Sequence, residues 1–462
     1  MKKTQIYAQE HKQVFLDELF AWLKIPSISA DAAYKKDVLH AAEFIKNKLQ
    51  SVGADKAQVI ATAGNPVVYA EKIINPALPT ILVYGHYDVQ PVVPLELWES
   101  PPFEPTIRKT DIHPEGAIFA RGATDDKGQT FMHVAAFEAM HQTGELPCNV
   151  KFLLEGEEEV GSESLGTFVQ NNQDLLKANV VLISDSSMMG KNEPSVCVGL
   201  RGILAVEITV KGAKRDLHSG FFGGAVTNPL NALCEMVASL KDENQKITIP
   251  GFYDQVHIYS DAERAEINAL PFDAEEYKKS IGVNGLRGEK GYSVFEQTAT
   301  RPTLDLNGIW GGYQGEGSKT IIPSEAHAKI TMRLVPGQDP HTIAELFQKH
   351  IKQITPLGVS VEVKLGHGGT AYFMDTQSVA YQAASAAVEK TFGMKPYAKR
   401  DGGSIPITSL FESVLHCKSV LLGFGLESDA LHAPNEHYGL SNFYKGIETI
   451  PYFYDFFVKL QK

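Results

Sequence analysis

Three short apolar runs lie within the first 185 residues, and polar or acidic residues follow each at once. They are Thr80-Ile81-Leu82-Val83-Tyr84, Val150-Lys151-Phe152-Leu153-Leu154 and Val180-Val181-Leu182-Ile183. Unbroken apolar runs of this length suit strands covered on both faces, as in an α/β sheet. Between the first two, Phe131, Met132, Ala135, Ala136, Ala139 and Met140 recur at helical spacing, which predicts a helix over about 128–142. The polar residues after each run therefore sit at the carboxyl ends of strands, where open α/β sheets build their sites.

The pattern changes at about Gly199. Residues 200–211 alternate apolar and polar like a half-exposed strand, and 228–241 read as a helix. One long strand is expected over 319–335, a helix over 341–354 and an alternating strand over 359–365, while 253–315 reads as rich in loops. That order of strands and helices suits a small α+β sandwich with one covered sheet face. After about Gly366 the α/β pattern resumes, with a helix at 376–391, a strand at Ser419-Val420-Leu421-Leu422-Gly423 and a closing helix from about Asn442. The expected organisation is a discontinuous catalytic domain, 1–198 plus 366–462, interrupted by an inserted domain at 199–365.

Composition narrows the functional classes. A chain of 462 residues is long for a single core, and 43% hydrophobic with 21% charged residues describes a globular protein. The net charge of −12, with no basic run to offset it locally, argues against a nucleic-acid partner. No apolar stretch approaches the roughly 18 residues of a membrane span, and the N-terminal segment lacks the apolar core of a signal peptide. Cys148, Cys197, Cys234 and Cys417 are scattered without a C-x-x-C spacing, so reduced thiols in a cytoplasmic protein are expected.

The chemistry is concentrated in five motifs: Gly85-His86-Tyr87-Asp88, Arg121 to Gly128 with Asp125-Asp126, Glu157-Glu158-Glu159, Ser184-Asp185, and Leu431-His432-Ala433. Each has an ordinary alternative: a turn histidine, a helix cap, a solvated acidic loop, an Asx turn and a surface-loop histidine. Together they supply histidines and carboxylates of the kind that hold two ions about 3.5–4 Å apart, with one carboxylate bridging. His86 and Asp88 point the same way in extended backbone, so Asp88 can fix the ring of His86. Asp125 is the candidate bridge, with Asp126 in a structural or capping role. One residue of the acidic triplet serves as ligand and its neighbour as general base.

These motifs resemble the dinuclear zinc metallopeptidase family of carnosinases, non-specific dipeptidases, glutamate carboxypeptidase, aminoacylase and succinyl-diaminopimelate desuccinylase. His-Tyr-Asp-Val-Gln-Pro and Arg-Gly-Ala-Thr-Asp-Asp-Lys-Gly are most similar to the carnosinase and dipeptidase branch. The resemblance implies a mixed-sheet α/β peptidase domain with an inserted ferredoxin-like lid and dimerisation domain. It implies that His86 and Asp185 bind one metal, Glu159 and His432 the other, and that Asp125 bridges them. Asp88 would orient His86, and Glu158 would be the general base toward water activated by the metals. The peptide between Asp125 and Asp126 would be the family's cis bond.

Three more stretches carry implied roles. His218, in Arg215-Asp216-Leu217-His218-Ser219-Gly220, would reach a neighbouring subunit's site and steady the oxyanion. Arg333 would grip the substrate carboxylate, and Gly403 with Ser404 would line the substrate backbone. The triple-Glu run also permits a register with Glu157 as base and Glu158 as ligand, although Val160-Gly161-Ser162-Glu163 favours Glu158 and Glu159. The expectation is a homodimeric dipeptidase of small peptides with two divalent ions per subunit, Zn²⁺ before Mn²⁺ or Co²⁺. It would cleave the amide bond of short peptides with a free C-terminal carboxylate. The rival activity is an N-acyl-amino-acid deacylase using the same two-metal site.

Overall fold

The computed structural model describes residues 1–403 and 406–461. Two compact units emerge: Met1–Val198 with Met374–Lys399 and Leu410–Lys462, and Gly199–Phe373 with Arg400–Ser409. The first unit is built on a mixed sheet. Its strands run in the order Lys56–Ile60, Val67–Lys72, Asn149–Glu155, Thr80–His86, Val180–Ile183, Ser419–Leu421 and Ser195–Leu200. Thr80–His86 is parallel to Asn149–Glu155 and to Val180–Ile183, and Ser419–Leu421 is parallel to Val180–Ile183. The unbroken apolar runs are explained by this position, because Ile81 to Tyr84, Val150, Phe152 to Leu154 and Val180 to Ile183 are buried.

Parallel pairing has a direct consequence for the site. His86 lies opposite Glu155, and Tyr84 opposite Ile183, so all three strands end at the same edge. The helix Lys127–Gln142 packs on this sheet and is buried along nearly its whole length. Its start is drawn close: a Cβ on Gly85 would lie 2.0 Å from Thr130 Oγ1, and one on Gly128 would lie 1.9 Å from the Ala123 carbonyl. Glycine at these two positions is what lets the helix N-terminus meet the strand end.

The second unit is an antiparallel sheet in the order Thr303–Gly311, Glu325–Leu334, Gly202–Lys211 and Ser360–Gly369. The helices Pro229–Ser239 and Pro340–Ile354 cover one face, where Leu204, Val206, Ile208, Ile330, Met332, Leu233 and Phe347 form a core. The alternation read in 200–211 is this single covered face. Strand, helix, two strands, helix, strand in this sheet order is ferredoxin-like.

Two expectations are corrected here. The long strand over 319–335 is two, Ile321–Ile322 and Glu325–Leu334. Pro323 cannot donate to a ladder, and the Ser324 amide turns instead to Asp216 Oδ1 at 3.0 Å. The loop-rich segment 253–315 contains the helices Asp261–Asn268, Ala274–Ile281 and Val294–Ala299, and the strand Thr303–Gly311. Ser260 with Glu263, and Ser293 with Glu296, form reciprocal capping boxes that start two of them. Among the described residues no helix is long and apolar enough to cross a membrane.

Candidate metal centre

The sheet edge brings five of the sequence-selected side chains together. His86, Asp125 and Asp185 form one group and Asp125, Glu159 and His432 a second; within each, potential ligand atoms lie within 4.8 Å of one another. Asp125 belongs to both. Its Oδ1 lies 3.0 Å from His86 Nε2 and its Oδ2 lies 2.8 Å from His432 Nε2. Asp185 Oδ2 stands 3.8 Å from His86 Nε2, and Glu159 Oε2 stands 3.3 Å from His432 Nε2.

The imidazole of His86 is fully buried and held at its other nitrogen. Nδ1 faces the backbone carbonyl of Asp88 at 3.1 Å and the Asp88 carboxylate at 3.4 Å. The carbonyl is therefore the nearer acceptor, and the Asp88 carboxylate accepts instead from the Glu159 amide at 3.1 Å. An Nδ1–H donated this way leaves the Nε2 lone pair facing Asp125. Asp126 does not cap its helix by a side-chain bond; its Oδ2 accepts from the His86 amide at 3.2 Å and from Thr130 at 2.7 Å. The Asp125–Asp126 peptide is cis.

The acidic triplet divides by environment. Glu157 accepts from the backbone amides of Asn65 at 3.0 Å and Ser164 at 3.2 Å, which engages both its oxygens with backbone. Glu159 accepts from Gln90 Nε2 at 2.7 Å on the same oxygen that faces His432. Burial pushes the Glu158 carboxyl up to about 9, with Asp185, Glu159 and Asp125 adding to the rise against the pull of His86. Asp185 is pushed up to about 7, first by burial and then by Asp125. Hydrogen bonds to Asp125 and Glu159 raise His432 to about 10. Burial opposes a charge on Asp125 too, but its two histidine partners win and hold it well below the usual carboxylate range.

This donor set fits divalent ions. It consists of imidazole nitrogens and carboxylate oxygens, which suit zinc and its first-row neighbours. Buried carboxylates that lift one another's proton affinity also mark a place short of positive charge, which bound cations would supply.

Sequence reasoning passed over the residue that holds this loop in place. Glu436 is fully buried and pairs with Arg121 at 2.7 Å. Its oxygens also accept from the amides of Gly122, Thr124 and Asp125 at 3.0, 3.0 and 3.1 Å. The one signal in the sequence was Arg121 itself, since a buried guanidinium requires a carboxylate partner and Glu436 follows His432 by four residues.

Of the remaining sequence-selected residues, His218, Arg333 and Gly403 lie in the second unit. His218 is exposed, ends the strand Leu217–His218 and accepts at Nδ1 from the Gly220 amide at 3.0 Å. Arg333 is half-buried on Glu325–Leu334, opposite Thr303 and Ile203. Burial first, and then Arg333, lowers the neighbouring Arg201 to about 10. The Gly403 carbonyl accepts from the Arg201 amide at 3.1 Å, and Ser404 lies outside the described residues.

A family model described as peptidase family M20/M25/M40 matches residues 82–454. The Cys-Gly metallodipeptidase dug1 of Schizosaccharomyces pombe is 32% identical, over 95% of this chain and 94% of its own length. The Beta-Ala-His dipeptidase of Homo sapiens is 30% identical, over 98% of this chain and 92% of its own. Among solved structures, the metallo-carboxypeptidase Sso-CP2 from Sulfolobus solfataricus superimposes with a TM-score of 0.85 at 34% identity, covering 96% of this chain and 99% of that one.

Proposed function

The chain belongs to peptidase family M20/M25/M40, and on that footing we propose that it is a two-metal dipeptidase centred on Asp125. The observation that carries the reading is the shared carboxylate: one oxygen of Asp125 faces His86 and the other faces His432. His86 and Asp185 hold one ion and Glu159 and His432 the other, with Zn²⁺ favoured by the imidazole share of the donors. The relatives named as dipeptidases, matched nearly end to end, support small peptides as substrates.

When bound, the ions supply Lewis acidity to the scissile carbonyl and to the attacking water. Glu158 takes the proton of that water at its carboxylate and passes it to the departing amine. Glu157 is occupied by Asn65 and Ser164, which supports this register over one shifted by a residue. The Asp88 carbonyl holds the ring of His86, and Glu436 holds the backbone of Asp125. Arg333 binds the substrate's C-terminal carboxylate, a task suited to a planar guanidinium. Gly403 and Ser404 border the substrate backbone.

His218 of the partner subunit steadies the oxyanion in a homodimer. The uncovered face of the second unit's sheet, which carries Glu207, Lys329 and Trp310, is the surface assigned to pairing. The inserted unit serves as lid and pairing domain, and a cytoplasmic location accords with four free cysteines.

The test is a substrate panel read by chromatography: Cys-Gly, β-alanyl-histidine, a tripeptide, and acetylated and succinylated amino acids. Cleavage confined to the free dipeptides is expected. Release of successive C-terminal residues from the tripeptide would move the chain toward the carboxypeptidase it resembles in structure. Cleavage of the acylated compounds alone would make it a deacylase.

A further inference from the structure

A second set of ligand-type side chains lies in the first unit, built from His113, Asp429 and His437. His113 sits in the connection between the short strands Thr106–Arg108 and Ala117–Phe119. Asp429 closes the turn Glu427–Asp429, and His437 opens the strand His437–Gly439. His113 and Asp429 are completely buried, and the His437 side chain is 12% exposed. None of the three is in the Asp125 centre.

Hydrogen bonding within the described residues leaves several buried polar atoms of this cluster unpaired. Asp429 Oδ2 accepts from the Leu426 amide at 2.8 Å and from Thr124 Oγ1 at 3.3 Å. Its Oδ1 has no hydrogen-bond partner among the described residues, and neither does either nitrogen of His113. His437 Nδ1 lies 3.0 Å from the Asn435 carbonyl, so an Nδ1–H donated there leaves an Nε2 lone pair directed inward. Leaving buried polar atoms unpaired costs the full desolvation of each, so such a cluster demands a cause.

Distances decide between two causes. Asp429 Oδ1 lies 3.5 Å from His113 Nε2 and 3.9 Å from His437 Nε2. Direct hydrogen bonds would draw these pairs to roughly 2.7–3.2 Å. Ligands on a tetrahedral ion with bonds of about 2.0–2.1 Å are about 3.3 Å or somewhat more apart. The ring positions are fixed from outside: His437 stacks on Phe119 at 4.7 Å, and a Cβ on Gly439 would fall 2.3 Å from the ring of His113.

We propose that His113, Asp429 and His437 form a further site for a divalent ion of the zinc class, which clamps the two ends of the loop carrying His432. Asp429 precedes that loop and His437 follows it. Between them Ala430, His432 and Asn435 adopt positive φ of 57°, 57° and 64°, a conformation that side chains other than glycine adopt at a cost. An ion bound at both ends, and to His113 from a third segment, would hold that conformation in place.

The full-length protein is stripped with a chelator, reloaded with Zn²⁺, desalted and counted by mass spectrometry. Wild type is expected to retain about three ions per chain and His113→Ala about two. Wild-type crystals soaked in Zn²⁺ and measured on both sides of the zinc absorption edge are expected to show a peak between His113, Asp429 and His437. The map decides the question even if the variant fails to fold. Peaks at Asp125 with none at His113 overturn this proposal alone. An empty Asp125 centre with a peak at His113 overturns the two-metal reading and leaves this one standing.

Discussion

Glu157 and Glu158 are chemically identical neighbours whose surroundings assign them different work. The oxygens of Glu157 are spent on two backbone amides, whereas Glu158 stands half-buried beside Asp185, Glu159 and His86. Replacing Glu158 with Gln removes a proton acceptor without removing a proposed ligand. Turnover should fall by about 10²- to 10⁴-fold while the metal content stays at the wild-type value. Glu157→Gln should keep turnover within a few-fold and lower unfolding stability by about 1 kcal/mol. If metal is lost from Glu158→Gln instead, the register has slipped by one. At this scale the candidate ligands were legible because each directly follows an apolar run or sits in a compact motif. Glu436, Gln90 and Asn65 were not. Their partners lie far along the chain, and a single sequence carries no sign of a contact that only the fold creates.

Elements were legible wherever periodicity was strong and covered surface was simple. The three runs ending at His86, Glu155 and Ile183 read as buried strands because they are interior strands of the sheet with side chains buried on both faces. The alternation in Gly202–Lys211 survived because helices cover only one side. Reading failed where an element is held by its ends and not by a stripe. The helix Asp261–Asn268 buries only Ile267, yet Ser260 and Glu263 cap it reciprocally. Ser260→Ala should therefore destabilise that helix by about 1 kcal/mol, seen as roughly five-fold faster amide exchange confined to it. Unchanged exchange there would mean that neighbours, not the cap, hold the helix. The broken strand at Pro323 makes the same point, since apolar periodicity outweighed a residue that cannot donate to a ladder.

For the whole molecule, acidification offers a test of how the central helix sits on the sheet. His133 is buried within Lys127–Gln142, and burial drives its imidazole down to about 3. Ser184 Oγ donates to the Leu422 carbonyl, so the bond of 2.8 Å between His133 Nε2 and Ser184 is donated by the ring, which is neutral. A folded-state value below the unfolded one means that the unfolded chain binds the extra proton. Stability is then full above about pH 6.5 and is lost as pH falls toward 3. Between pH 7 and pH 5 the loss from this group should be roughly 2 kcal/mol. Urea unfolding of wild type and His133→Gln at both pH values isolates it, because the metal ligands titrate in both proteins. Equal losses in the two would contradict a neutral, buried His133.

The central claim is that one carboxylate, Asp125, joins two metal positions into a peptidase. Its most direct test follows hydrolysis of Cys-Gly by chelator-stripped protein as Zn²⁺ is returned, for wild type and Asp125→Asn side by side. Wild type should start near zero and recover with added metal, and Asp125→Asn should remain at least about 10²-fold slower at every concentration. Full recovery by Asp125→Asn, or unchanged turnover by the stripped wild type, would contradict the account.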